Sequence, residues 1–417
     1  MSKRRVVITG LGTVNPAGQS VDEFWNSLMT GKSGIAPIKR FSTEGYASTI
    51  GGEVKDWSAP PKDMLSHREA KRMDRFTLFA VQAGLTALKD SELDITKTDP
   101  TRCATIIGSG IGGLMTFEEQ HSRMLEKGPG KISPFTVPRM MVNAASGHLG
   151  ILAGFQGTNF SVVTACASAA HAIGESLRVI QRGEADVALT GGSEAALSRV
   201  GLASFCALKG LSTRNDDPTH ASRPWDKDRD GFLLSEGAGC LILEELEHAK
   251  ARGAKIYAEV IGYGSSCDAH HITAPAPDGS GASRAMAAAI KDGGITPEQV
   301  EYVNAHGTST NLGDIAETNA IKRVFGEWAT NGLLVSSTKS ITGHLLGASG
   351  GVELIACCKA LEENILPATF NLENPDEGCD LDYIPNEPRE KRVDVILSNS
   401  FGFGGHNGCI LIRRYED

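Results

Sequence analysis

No stretch of this chain approaches the roughly 20 consecutive apolar residues that a membrane-spanning helix needs, so no span is expected. No two cysteines are spaced CxxC. The nine cysteines are odd in number and scattered, with Cys357 and Cys358 adjacent. That usage argues for reduced thiols in a cytoplasmic enzyme and against a disulfide framework. HExxH and EF-hand patterns are also missing, which removes the usual sequence grounds for a catalytic metal. Low-complexity tracts are absent, and hydrophobic residues at 41% with charged residues at 22% exclude wholesale disorder. A formal net charge of −9 argues against nonspecific nucleic-acid binding. It would also repel an acidic protein partner unless basic residues were concentrated locally.

At 417 residues the chain exceeds the ~250–300 at which one hydrophobic core stops growing, so two halves are expected. The start, MSKRRVVITGLGTVNPAG, is basic and then briefly apolar, like a signal peptide. Gly10, Gly12, Asn15 and Pro16 break the apolar run, and the segment reads as a strand followed by a turn. β-branched runs predict strands at 5–9, 104–107, 160–164, 186–190, 240–243, 256–261, 302–304, 334–336 and 393–397. Helical patterns fall between them at 74–89, 167–181, 282–291, 315–325 and 350–361. This alternation means an α/β protein with mostly parallel sheets. A faint repeat divides the chain into 1–252 and 253–417, with the charged segment 244–255 as the seam. RRVVITGLG and KIYAEVIGYG each read as a strand entering a Gly-x-Gly turn.

Two motifs are decoys. Gly108-Ser-Gly-Ile-Gly-Gly113 satisfies GxGxxG, yet the helical stretch after it runs into GPGKISPF and not into a second strand; a tight strand-to-helix turn explains it better than a dinucleotide site. Gly347-Ala-Ser-Gly-Gly351 satisfies GxSxG, but His344-Leu-Leu leaves no room for the strand that precedes a hydrolase nucleophile; small residues at close helix packing explain it.

The chemistry gathers elsewhere. In NFSVVTACASAAH a strand ends at Cys166 and an Ala-rich helix begins at once, so N–H groups and the helix dipole are expected to favour the thiolate. Such a thiolate can attack a thioester, with its own N–H facing the developing oxyanion. YVNAHGTST places His306 at a strand's C-terminal end, and SSTKSITGH places Lys339 and His344 just beyond the next strand. Strand ends are where open α/β sheets build sites. NSFGFGGHN adds a Gly-rich turn between the two last strands, which lets backbone N–H groups approach a ligand.

TACASAAH, NAHGTST, STKSITGHLLGASG and NSFGFGGHN, in this order, resemble the motifs of β-ketoacyl-[acyl-carrier-protein] synthases, and the resemblance runs the whole chain. Ile111 within GSGIGG and the segment SRPWDKDRDGF look closest to the type II synthases of dissociated bacterial or organellar fatty-acid synthesis. The resemblance implies a thiolase-like fold: two similar α/β halves stacked in five layers, α-β-α-β-α, usually as a homodimer. It implies Cys166 as the acyl-accepting nucleophile, His306 and His344 as the decarboxylating pair, and Lys339 as a buried lysine with Asp314 and Glu317 as partners. Thr308 and Thr310 match hydroxyls that hold the phosphopantetheine arm; Phe401 and Phe403 lie in the gate motif, where the Phe403 N–H completes the oxyanion hole. Ile111 and Phe205 match the walls of the acyl tunnel. Arg68, Lys71, Arg72, Lys131 and Lys209 form the expected docking patch for acyl carrier protein. Asn304, Glu353, Ser398 and Asn399 match a monovalent-cation site; no cofactor is required for catalysis. His406 stands where several members have threonine, adding a third histidine near the gate. The expected compartment is the cytoplasm, or an organellar stroma or matrix. A polyketide ketosynthase is the nearest alternative. A chain-length factor would lack the nucleophile, and a thiolase would need a second reactive cysteine, for which Cys409 lies in an apolar strand that reads as core.

Overall fold

Ten main strands form a single sheet in a computed structural model that describes residues 3–416. They are β1 (Val6–Val14), β2 (Cys103–Gly108), β3 (Asn159–Val162), β4 (Val187–Glu194) and β5 (Gly237–Glu245), then β6 (Ala258–Cys267), β7 (Tyr302–Asn304), β8 (Leu334–Ser336), β9 (Val395–Gly402) and β10 (His406–Arg413). The order across the sheet is β8-β7-β9-β10-β6-β1-β5-β4-β2-β3. Within each set of five the order is third, second, fourth, fifth, first. The pairing repeats as well: β1 and β6 run antiparallel to β5 and β10, these run antiparallel to β4 and β9, and the remaining pairs are parallel. Only Val7 and Ile8 of β1, opposite Glu259 and Ala258, join the two sets.

Helices α1 (Arg75–Asp90) and α2 (Ala144–Ala153) cover the outer face of the first set. Helices α3 (Ser168–Gln181) and α6 (Ser349–Glu363) pack on each other and on strands of both sets. Helix α4 (Ser280–Gly293) covers β6 and β10, with α5 (Asn311–Phe325) against it. The result is the five-layered thiolase-like arrangement. Its middle stratum is almost wholly apolar: Ile173, Leu177 and Ile180 of α3 meet Leu354, Ile355 and Cys358 of α6 in one buried cluster. A helix sandwiched between the two sets of strands has no face for water, so α6 is buried along nearly its whole length, Glu353 included.

The Gly-x-Gly pairs are not turns. Gly10 and Gly12 lie inside β1, and Gly262 and Gly264 inside β6. A Cβ on Gly12 would stand 2.1 Å from the Ala83 carbonyl oxygen of α1, and one on Gly264 2.1 Å from that of Ala285 in α4. The glycines let an Ala-rich helix lie directly on the strand, and the same device occurs at the same place in both sets. Strand 160–164 also ends earlier than expected, at Val162. Beyond it the chain enters a 3-10 turn, Ala165–Ala167, at the start of α3, with Ala165 at φ 50°. The second set repeats this: Leu346, at φ 49°, opens the 3-10 turn Leu346–Ala348 before α6.

Candidate active site

The two 3-10 turns face each other beneath a cavity of about 500 Å3 lined by Cys166, His306, His344, Thr308, Thr310 and Phe403, among others. Cys166 sits on the elbow that Ala165 opens. Ser168 Oγ accepts from Thr164 N at 2.8 Å and donates to Ala165 O at 2.7 Å, closing the turn. His344 Nε2 lies 3.0 Å from Cys166 Sγ, and its Nδ1 lies 3.0 Å from Ser349 Oγ. With Ser349 donating to Nδ1, the Nε2 proton points at sulfur. The His306 ring stands edge-on to that of His344, centroids 5.2 Å apart. Its backbone is held by Glu317, whose carboxylate accepts from His306 N at 2.8 Å and Gly307 N at 2.7 Å.

Electrostatically this is a site of neutral groups. Burial, reinforced by Lys339, holds His306 and His344 well below the ordinary imidazole value. The Cys166 thiol departs from expectation. Burial pushes it up to about 12, against the opposing pull of Lys339 and the backbone N–H groups of Phe403 and Cys166. The helix start is present, but the sulfur is so enclosed that desolvation outweighs the dipole, and the resting group is a thiol.

Phe403 lines the cavity in the turn between β9 and β10. Its N–H reaches toward Cys166, and this depends on Gly402, where a Cβ would meet Thr164 O at 2.7 Å and Cys166 N at 3.0 Å. Phe401 packs against His306 at 5.8 Å between centroids, and the hydroxyls of Thr308 and Thr310 lie 3.0 Å apart on the cavity wall. Ile111 and Phe205 line the same cavity, Phe205 meeting Phe232 edge-on. His406 pairs with Gly402 across the last turn and does not line the cavity. Among the described lining residues Cys166 is the one cysteine, while Cys409 is fully buried inside β10.

The partners assigned to Lys339 need correction. Its ammonium, 1% exposed, pairs with Glu353, not with Asp314 or Glu317. Asp314 lies against Arg229 at 3.3 Å and accepts from Trp225 N and Ser309 N. It is a buried brace under the Thr308–Thr310 loop and does not line the cavity. Glu317 lines the cavity and acts on the His306 backbone. The i, i+3 spacing of Asp314 and Glu317 puts both on the buried face of α5, but Asp314 is taken up by Arg229, Trp225 and Ser309.

Asn304, Glu353, Ser398 and Asn399 are all buried, and Ser398 stands opposite Asn304 in the β9·β7 register. Of the five docking candidates, all exposed, only Lys209 lines the cavity. Arg68 lies on the short helix His67–Ala70 with Lys71 as its cap; Arg72 stacks over Phe135 at 4.9 Å, and Lys131 ends the turn Pro129–Lys131. Sequence reasoning gave no role to Phe232, Leu346 or Glu194, and it read Ser349, in the GxSxG motif, only as a small residue at close helix packing. Of these, Glu194 carried a signal, a carboxylate at the end of the apolar strand VALTGGSE.

Residues 3–249 match the family described as Beta-ketoacyl synthase, N-terminal domain, and residues 257–373 its C-terminal domain. The chain is 53% identical over 416 residues to 3-oxoacyl-[acyl-carrier-protein] synthase 2 of Synechocystis sp., covering 100% of this chain and 99% of that one. It is 50% identical to the synthase 2 of Vibrio cholerae, covering 99% of this chain and 100% of that one. Among solved structures, a type II PKS acyl-carrier protein in complex with its ketosynthase bound to the hexaketide superposes with a TM-score of 0.92 at 36% identity, covering 100% of both chains. A beta-ketoacyl synthase from Burkholderia phymatum gives 0.92 at 34%, covering 99% of this chain and 100% of that one. A cysteine on a strained elbow, two neutral histidines at its thiol and two matching family halves lead to one conclusion: this chain belongs to the beta-ketoacyl synthase family.

Proposed function

We propose that the chain joins an acyl group, carried on Cys166, to malonyl-[acyl-carrier protein], giving 3-oxoacyl-[acyl-carrier protein] and CO2 in type II fatty-acid chain elongation. The observation that carries this is the 3.0 Å contact between Cys166 Sγ and His344 Nε2, with the neutral ring of His306 beside it. The thiol attacks an acyl thioester and loses its proton as the C–S bond forms; the carrier leaves as its free thiol, and the acyl-cysteine remains. The malonyl thioester then enters. Its carboxylate departs as CO2, and the electron pair passes to the thioester oxygen as an enolate. The N–H groups of His306 and His344 face that oxygen, and one such donor is worth ~3–4 kcal/mol by analogy with other oxyanion sites. The enolate carbon attacks the acyl-cysteine, the N–H groups of Cys166 and Phe403 hold the tetrahedral oxyanion, and the thiolate leaves to regain a proton. Lys339 stabilises negative charge throughout, and burial, reinforced by Lys339, keeps both imidazoles neutral.

Thr308 and Thr310 hold the phosphopantetheine arm, and Ile111 and Phe205 wall the acyl tunnel. The names of the relatives, 3-oxoacyl-[acyl-carrier-protein] synthase 2, support a carrier-bound acyl substrate. Arg68, Lys71, Arg72, Lys131 and Lys209 receive the acidic carrier. The halves 1–252 and 253–417 divide the work, the first bearing the cysteine and the second the histidines. The working unit is a homodimer in the cytoplasm. β3 is a sheet edge whose Phe160 is exposed, near the exposed Ile151 and Val163, and such an apolar edge calls for a partner strand. The monovalent cation fits as well. Asn304 Oδ1, Asn399 Oδ1 and Glu353 Oε2 are buried oxygens without a hydrogen-bond partner, a donor set suited to a hard cation. Bound there, it would supply positive charge and fix these side chains. No step of the reaction passes through it.

The test separates the two half-reactions. Cys166→Ala abolishes 3-oxoacyl product while malonyl-carrier still releases CO2, because the histidines act on the malonyl group alone. Full condensation by this variant would sink the assignment.

A further inference from the structure

The GSGIGG turn binds an anion, and the anion belongs to the protein. Glu194, at the end of β4, has no exposure to solvent. Its Oε2 accepts from Gly110 N at 2.7 Å and Gly347 N at 3.1 Å; its Oε1 accepts from Ile111 N at 3.2 Å and Ser109 Oγ at 3.1 Å. No ion pair to a basic residue is found for it among the described residues, so four hydrogen-bond donors alone satisfy it. The glycines are shaped around it: a Cβ on Gly110 would lie 2.9 Å, and one on Gly347 2.8 Å, from Oε2. A Gly-rich turn with converging N–H groups is a phosphate cradle in other proteins. Here a side chain fills it and ties the turn carrying Ile111 to the elbow carrying Leu346. Both residues line the catalytic cavity.

We propose that Glu194 is a positioning residue that sets chain-length selection by anchoring the Ser109–Ile111 turn, and with it the Ile111 wall of the acyl tunnel. This rests on the condensing reading above. Ile111 is held by its backbone N–H, not by packing alone, since the residue is 37% exposed. A wall discriminates between chain lengths only if it stays where it is, because added methylenes otherwise push it aside. The carboxylate touches neither substrate nor sulfur and acts through the turn. Burial lifts it to about 7 and the four donors offset that only partly, so its charged form is marginal and the anchor is sensitive to any loss of a donor.

The test reads acylation of Cys166 by intact-protein mass spectrometry, using carrier-bound acyl groups graded in length. Glu194→Gln turns one acceptor oxygen into a donor that faces backbone N–H groups. Its expected result is that the group just longer than the wild type's limit gains about tenfold relative to the preferred length, the scale of one charged hydrogen bond lost. Ser109→Ala, which removes one donor and leaves the backbone intact, shifts the profile in the same direction by less, and decides the matter if the Gln variant does not fold. Ile111→Phe narrows the tunnel directly and should keep short groups while losing medium and long ones. If the variants' length profiles superimpose on the wild type's after scaling by one factor, Glu194 is merely structural and the proposal is overturned. If the wild type takes no acyl group on Cys166, or Ile111→Phe lowers all lengths equally, the tunnel reading itself fails and takes the proposal with it.

Discussion

His306 and His344 owe their character to enclosure. Both rings are buried, both lie in the field of Lys339, and both are held well below the usual imidazole value of 6.5. A histidine lowered in this way protonates only under more acid conditions than a free one, so its neutral form persists as pH falls through 6.5. Decarboxylation of malonyl-carrier by the Cys166→Ala variant should therefore be flat with pH across 6.5. A titration centred there would show that an ordinary imidazole limits the step. Replacing either histidine by alanine should reduce decarboxylation far more than acyl transfer to Cys166. The reverse pattern would exchange the roles of the cysteine and the pair.

The strands and helices repeat their devices. Gly10 and Gly12 under α1, and Gly262 and Gly264 under α4, let a helix backbone lie against a strand with no side chain between them. Gly264→Ala places a Cβ 2.1 Å from the Ala285 carbonyl oxygen and 2.4 Å from the Ala289 nitrogen, both backbone atoms that cannot swing away. Overpacking of this kind costs about 1–3 kcal/mol, read as a lower denaturation midpoint. Gly147→Ala, inside α2 with open space around it, is the contrast: it should raise stability by about 0.5–1 kcal/mol through helix propensity. Equal effects at the two sites would remove the close-approach argument.

For the whole molecule the question is how a chain of net charge −9 receives an acidic carrier. Exposed Lys209 lies at the cavity lining, on a left-handed backbone with φ 57°, where its ammonium can meet a carrier whose arm enters toward Thr308 and Thr310. Lys209→Glu should raise KM for carrier-bound acyl groups, flatten its dependence on salt and leave kcat nearly unchanged, since long-range attraction governs encounter more than chemistry. Lys71→Glu tests the second cluster in the same way. An unchanged KM in both variants would reject the docking patch.

Much of this protein was determined by sequence alone. β-branched runs alternating with helical patterns specify an α/β protein because each period suits one kind of element. The four motifs specify Cys166, His306, Lys339 and His344 because strand ends are local features that short segments encode. Distance and dielectric are not local. That Lys339 pairs with Glu353, 14 residues on and across the buried middle layer, depends on how α6 lies between two sets of strands. That Cys166 rests as a thiol depends on enclosure by elements from both halves, which no spacing reveals. The Gly-x-Gly pairs looked like turns because glycine is as much at home in a turn as beneath a close-packed helix; only the carbonyls of Ala83 and Ala285 distinguish the two. The GxGxxG turn likewise needed Glu194, 84 residues from Gly110, to show which anion it holds. Sequence determines which groups are available and which segments carry them, because backbone preference acts over a few residues. Burial and pairing across the chain set their charge and partners, and those exist only once the layers have closed.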